Sequence, residues 1–251
     1  MCKTYTFMLT VSMGKRLIAK GLMANPDVRK AMTNHRLLIV AGTTNGYVAE
    51  EALKVIGDTT PFDKRTYRRG ITVAPGAKVA PGQAEFDLLI DHGKAYFDRD
   101  VFAVAPELGA DDMIMKGANA LYLDGGEAGV LIGHPQGGTL IPITAAAIGR
   151  RVQLIVPIGV EKRVSRPIME LANLTNPGQG DGPRLASIPG MTYTEIDALS
   201  DLCGADAEIL AAGGAMGAEG GVYFTVSEEE ETINQIKALV RELREEPPTI
   251  L

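Results

Sequence analysis

The chain has 251 residues, a length that suits one large α/β domain or one such domain with a small appendage. A net charge of −6 and 5% aromatic residues, with no Trp, count against a nucleic-acid partner, which calls for basic surface and exposed rings. The two cysteines, Cys2 and Cys203, form no metal or disulfide motif, and no apolar run approaches the roughly 20 residues needed to span a bilayer. The N-terminal segment is too interrupted by polar residues for a signal peptide, so the reading is a cytoplasmic protein with no membrane partner.

Residues 14–34 read as helical, with a break at Asn25-Pro26, where Asn caps and Pro opens a new helix. Leu37-Leu38-Ile39-Val40-Ala41 is a short apolar run of the kind buried on both faces of a sheet. It passes through Gly42-Thr43-Thr44-Asn45-Gly46 into Val48, Ala49, Ala52, Leu53 and Ile56 at helical spacing. Strand, Gly-bounded turn and helix are the opening of a doubly wound sheet. From 58 to 85 the chain is rich in Pro, Gly and charge, with Lys64, Arg65, Arg68 and Arg69 clustered and a short strand expected at Ile71-Thr72-Val73.

Strands follow at 86–90, 129–133 and 154–158, with a helix from Thr139 to about Arg151. The stretch 173–190, which holds Asn-Pro-Gly-Gln-Gly-Asp-Gly-Pro, reads as a loop. Beyond it, a capping box is expected at Thr192/Glu195, then strands at 207–211 and 222–226 that flank a Gly-rich hairpin at 213–221. A second box at Ser227/Glu230 opens a last helix with Ile233, Ile236, Val240 and Leu243 on one face. The expected fold class is α/β. Residues 1–189 form a Rossmann-like domain, a mostly parallel sheet with helices on both faces, and 190–251 a small α+β module, partly ferredoxin-like.

Three places can carry chemistry. The first is the Gly42–Asn45 turn: a helix N-terminus has free N–H groups and partial positive charge, and Thr43, Thr44 and Asn45 add donors for a phosphate or carboxylate. The Gly137-Gly138-Thr139 turn repeats this arrangement after another apolar strand, and two such turns on neighbouring parallel strands converge at the carboxyl edge of the sheet. The third is the string from Gly109 to Leu121, which gathers Asp111, Asp112, Lys116, Gly117 and Asn119. A carboxylate beside a lysine moves protons on a carbonyl substrate when both pKa values are tuned, and Asp124 is a second acid/base candidate. Lys15, near the start of the first helix, is placed to reach an anion. The basic residues 64–69 read as a solvated loop or a phosphate clamp. His35, His92 and His134 lack metal-ligand spacing, so neither a metal nor a cofactor is expected.

The run Gly42-Thr43-Thr44-Asn45-Gly46-Tyr47-Val48-Ala49-Glu50-Glu51-Ala52-Leu53 is similar to the phosphate loop and helix of type A ribose-5-phosphate isomerases. The Gly-Ala-Asp, Lys-Gly and Ala-Leu order within 109–121 resembles that family's catalytic stretch. The same turn resembles sugar-phosphate-sensing domains of sugar-operon repressors and the wider CoA-transferase-like superfamily. The resemblance implies Thr43, Thr44 and Asn45 near phosphate, Asp111 as acid/base and Lys116 near the substrate. The expected function is binding of a small phosphorylated metabolite, a sugar phosphate or nucleotide-like molecule, with isomerase-type proton transfer. Two alternatives stand beside it: a non-catalytic sensor acting through a protein partner, and acyl chemistry on Glu107 or Glu127. A homo-oligomer suits the architecture.

Overall fold

A computed structural model describes residues 2–70, 72–73, 75–76 and 84–248. Strand β1 (Lys3–Leu9) leads to Thr10, whose hydroxyl accepts from Met13 N–H and starts helix α1 (Val11–Ala24). Asn25 ends α1 and caps α2 (Pro26–Asn34), where Pro26 occupies the first turn and its missing N–H costs nothing. Strand β2 (Arg36–Ile39) feeds α3 (Thr43–Ile56), which stops at Gly57 with φ +71°, a left-handed residue that suits glycine. The hairpin β3 (Asp87–Asp91) and β4 (Lys94–Arg99) follows, and Asp100 caps the short α4 (Val101–Val104).

Next come β5 (Met113–Met115), β6 (Ala120–Tyr122), β7 (Glu127–Ile132) and α5 (Leu140–Thr144), which runs on into a π-turn over Ala145–Gly149. Strand β8 (Gln153–Pro157), α6 (Ile168–Thr175), β9 (Arg184–Ile188) and β10 (Met191–Tyr193) complete the middle of the chain. The chain closes with α7 (Glu195–Cys203), β11 (Ala207–Ala212), β12 (Val222–Glu228) and α8 (Glu230–Leu243).

The strands form three sheets among the described residues. The largest is six-stranded and mixed, in the order β10-β8-β5-β2-β3-β4, with its first four strands mutually parallel and β3 and β4 antiparallel. A second sheet, β1-β12-β11, is antiparallel throughout and joins the start of the chain to the last two strands, across the expected division at 189/190. The third is the antiparallel β6-β7-β9. Strand β1 is absent from the expected elements, although Tyr5, Phe7 and Leu9 alternate with Thr4, Thr6 and Met8 as in a half-buried strand. Thr4 and Thr6 meet Ser227 and Thr225 across the exposed face of the sheet.

Helix α1 is buried almost all round, from Ser12 to Met23, and packs against α2, α3 and α7. Leu17, Ile18 and Leu22 are wholly enclosed. Gly21 allows α7 to approach, since a Cβ there would fall 2.7 Å from Ala198 Cβ and 2.8 Å from its Cα. A helix buried on all sides is ordinarily apolar. This one carries Lys15 and Arg16 into the interior, and that exception sets up the site described below.

Several local expectations are corrected. Strand β7 lies in the antiparallel third sheet, because a buried apolar run reads alike in either kind of sheet. The presumed loop at 173–190 contains the end of α6 and all of β9, whose alternation is hidden by the flanking glycines. The capping box is Thr194 with Asp197, two residues beyond the expected Thr192 with Glu195. Ser227 ends up inside β12, and α8 starts at Glu230, preceded by Glu229, which makes no side-chain cap. The expected strand at 71–73 begins at Ile71, which lies outside the described residues. The hairpin at 213–221 does connect two antiparallel strands.

Candidate functional site

The four parallel strands end on the same edge, and the segments that follow them bring charged residues together. After β2 comes Val40-Ala41-Gly42 and the first turn of α3. After β5 comes Lys116, after β8 Gly159, Glu161 and Lys162, and after β10 Thr194 and Glu195. The ladder continues past the strand ends, with Val40 N–H bonded to Met115 O (2.9 Å), Lys116 N–H to Ile155 O (3.1 Å) and Ile158 N–H to Tyr193 O (3.0 Å). These bonds fix the four segments side by side. The crevice beyond the carboxyl ends of parallel strands is where open α/β sheets hold ligands.

Asn45 welds two of the segments. It is fully buried, and its amide nitrogen donates to Val40 O (2.7 Å) and Met115 O (3.0 Å). Two carbonyl partners fix which end of the amide is nitrogen, so Oδ1 faces away as an acceptor and has no partner. Thr44 Oγ1, also buried, has none either. Gly42 precedes the helix in extended conformation with no side-chain cap, and Thr43 is half-buried beside it. The first turn of α3 therefore keeps the Thr44 hydroxyl as an unpartnered group at a helix N-terminus. Asn45, expected as a phosphate donor, spends its amide N–H groups on Val40 O and Met115 O and is left with only an acceptor.

Three lysines reach this edge. Lys116 Nζ donates to Gly117 O (2.9 Å) and Lys162 Nζ to Ala118 O (3.0 Å), so two ammonium groups hang from consecutive carbonyls. Lys15 reaches over from α1 and is only 8% exposed. Among the described residues none of the three makes an ion pair. Burial, assisted by the like charge of Lys162, lowers the Lys15 pKa to about 8 against the opposing pull of Glu161 and Glu195. Desolvation and the charge of Lys162 likewise lower Lys116 to about 8, with Arg69 acting in the same sense and Asp87 against it.

Two glutamates stand with the lysines: Glu161, and Glu195, expected from the sequence only as a capping-box residue. Glu195, the first residue of α7, is 4% exposed, and its Oε2 accepts from Val160 N–H (2.9 Å). A Cβ on Gly14 would overlap the other carboxylate oxygen, so that glycine lets α1 and Glu195 approach. Burial, with the nearby charge of Glu161, pushes Glu195 up to about 8 against the pull of the Val160 N–H. Glu161 folds back over the Cα of Gly159, where a side chain would occupy its space.

Asp111 and Lys116 are not brought together. Asp111 is exposed at the start of β5 and Lys116 follows its end, roughly 16 Å away for five extended residues. Asp111 instead borders a cavity of about 430 Å³ at the amino edge, with His35, Arg36, Asp91 and His92. Its neighbour Asp112 is consumed structurally. Burial alone would raise its pKa, but Arg36 (2.7 Å) and the Gly109 N–H (2.8 Å) hold the carboxyl below its ordinary value. Asp124 is exposed in the turn between β6 and β7.

Asn119 ties Leu131 N–H (3.0 Å) and is exposed, while Gly117 is half-buried beside Pro157. Gly137 and Gly138 turn the chain with φ +79° and +56°, and Thr139 precedes a five-residue helix without capping it. Because β7 is not in the parallel sheet, this turn does not follow a neighbouring parallel strand, and the expected convergence with Gly42–Asn45 is not formed.

The basic segment is largely occupied. Lys64 pairs with Glu246 (3.0 Å) and Glu50 (3.4 Å), Arg65 with Asp63 (2.8 Å) and Arg69 with the buried Asp87 (2.8 Å). Asp87 also accepts from the Ala41 and Val101 N–H groups (both 2.7 Å), which anchors the turn after β2. Glu107 is paired with Arg99, and Glu127 accepts from Ile168 N–H (2.9 Å) at the start of α6. Both residues of the acyl-chemistry alternative thus have structural partners.

Among the described residues no helix is long and apolar enough to cross a membrane. No protein-family model, curated protein or solved structure matches the chain.

Proposed function

We propose that the protein binds a small phosphorylated metabolite at the carboxyl edge of its parallel strands. Lys15, Lys116 and Lys162 supply charge, and the first turn of α3 supplies backbone N–H groups. One contrast on α1 carries this reading. Arg16 is buried and meets three carboxylates, whereas Lys15 is buried nearly as deeply and pairs with none among the described residues. Burying a charge without a partner is costly, and proteins keep such features where function needs them. An anionic ligand offsets the cost.

The raised pKa of Glu195 supports the same reading, because a protonated carboxyl adds no repulsion toward a phosphate dianion and offers it a donor. The finer fold reading belongs to this proposal as well: a Rossmann-like sheet with helices on both faces and a partly ferredoxin-like C-terminal unit. Its support is the four parallel strands and the strand, turn and helix of β2 and α3. For isomerase-type proton transfer, the carboxylates beside the lysines are Glu161 and Glu195, in place of Asp111 and Asp124.

A thermal-shift series tests the proposal with inorganic phosphate, sugar phosphates, nucleotides, CoA thioesters and plain carboxylates. Phosphate-bearing compounds raise Tm of the wild type, by an amount equivalent to about 2.7 kcal/mol at a hundredfold excess over Kd. Lys15→Met raises Tm without ligand, since it removes an unpaired buried charge, and abolishes the rise with ligand. No rise with any anion, or a rise that survives Lys15→Met, contradicts the reading.

A further inference from the structure

We propose that Lys116 acts as an amine nucleophile, forming an imine with the carbonyl group of a small compound that also carries an anionic group. The anionic part rests on the binding reading above; the amine chemistry rests on the arrangement of Lys116 itself. Lys116 follows the end of β5, half-buried, with no carboxylate in ion-pair contact among the described residues. Its ammonium and that of Lys162 are fastened to the successive carbonyls of Gly117 and Ala118, which holds two like charges in one small region. Desolvation beside another cation is the arrangement that makes lysine nucleophilic near neutral pH. The groups whose charges act on Lys116 are Lys162, Asp87 and Arg69, and Asp87 is already held by Arg69 and two backbone N–H groups. The balance therefore raises the share of neutral amine available near neutral pH, and the pKa of about 8 agrees with it.

The neutral amine keeps one N–H toward Gly117 O and leaves its lone pair free. That pair attacks the carbonyl carbon, the C=O π pair moves to oxygen, and a proton passes from nitrogen to oxygen to give a carbinolamine. The nitrogen lone pair then expels the hydroxyl, which leaves as water with a proton from solvent, and an iminium remains. No oxidant, reductant or metal is consumed. Lys162, together with the protonated fraction of Lys15, holds the anionic group.

Pyridoxal 5′-phosphate, an aldehyde bearing a phosphate, is the probe. One equivalent is added to the intact protein at pH 7.5, reduced with borohydride and mapped by peptide mass spectrometry. Label is enriched about ten-fold at Lys116 over exposed lysines such as Lys30 and Lys94, and inorganic phosphate suppresses it. Lys162→Met keeps the nucleophile but removes the neighbouring charge, so the pH of half-maximal labelling moves upward from about 8. Label spread evenly over the exposed lysines, or concentrated on Lys15 or Lys162, overturns the assignment, as does an unchanged pH profile in Lys162→Met. The two readings separate with pyridoxal, which lacks the phosphate. Equal labelling of Lys116 by both aldehydes, with no protection by phosphate, leaves the imine standing and removes the anion site. A phosphate-dependent Tm rise without Lys116 labelling does the reverse.

Discussion

Replacing Arg16 with alanine lowers the unfolding free energy by about 3–5 kcal/mol, the range expected when one partner of a buried ion cluster is removed. Arg16 is 6% exposed and donates to Glu246 (2.8 Å), Glu51 (2.6 Å) and Glu50, while its guanidinium lies 4.9 Å from the centre of the Tyr47 ring. Burial works against its charge, but the bonds to Glu246 and Glu50 outweigh burial and raise its pKa. Burial likewise disfavours the Glu50 carboxylate, and Arg16 reverses that effect. Without Arg16, three half-buried or buried carboxylates share only Lys64 and the exposed Lys54. Glu246 follows α8, so the same change removes one tie between α1 and the segment after α8. Urea unfolding at pH 7 measures the loss, and a change below about 1 kcal/mol would mean that the cluster is no more than a surface network.

Glu195→Gln removes most of the pH dependence of stability between pH 5 and pH 8. The folded-state pKa of Glu195 is raised from the ordinary 4.5 to about 8, so the folded chain binds this proton where the unfolded chain has lost it. Stability from Glu195 is therefore greatest below pH 4.5 and falls as pH rises toward 8. Lys15 and Lys116, lowered to about 8, act in the other direction and only above that pH, where the unfolded chain holds protons that the folded chain has released. The carboxamide still accepts from Val160 N–H but does not titrate. Unfolding free energies from urea titration are expected to match wild type at pH 5 and to exceed it at pH 8, by on the order of 2 kcal/mol. A wild type equally stable at both pH values would contradict the buried, protonated state.

Much of the fold is legible in the sequence where a segment's surroundings match its pattern. Leu37–Ala41 and Leu154–Ile158 read as buried strands and lie in the parallel part of the main sheet. Asn25-Pro26 marks the break between α1 and α2 because both residues act through local backbone chemistry. Strands β5 and β6 are too short for a period to register, and β1 owes its place to a partner more than 200 residues away.

The site is legible only in part, for a related reason. Thr44, Asn45, Lys15 and Lys116 fall on one sheet edge, two of them next to turns that glycine marks. Asp111 looks like a partner for Lys116 because they are near in sequence, yet three residues of β5 turn that nearness into separation. Glu195 reads as the closing residue of a capping box with Thr192, and its burial follows from long-range contacts with Gly14 and Val160.

The most direct test of the anion site is to soak crystals with tungstate, a phosphate mimic, and locate it from its anomalous signal. Tungstate is predicted within hydrogen-bond reach of at least two of Lys15, Lys116 and Lys162, facing the start of α3. Tungstate in the cavity lined by His35, Arg36 and Asp111 instead, or at neither place at saturating concentration, would contradict the account.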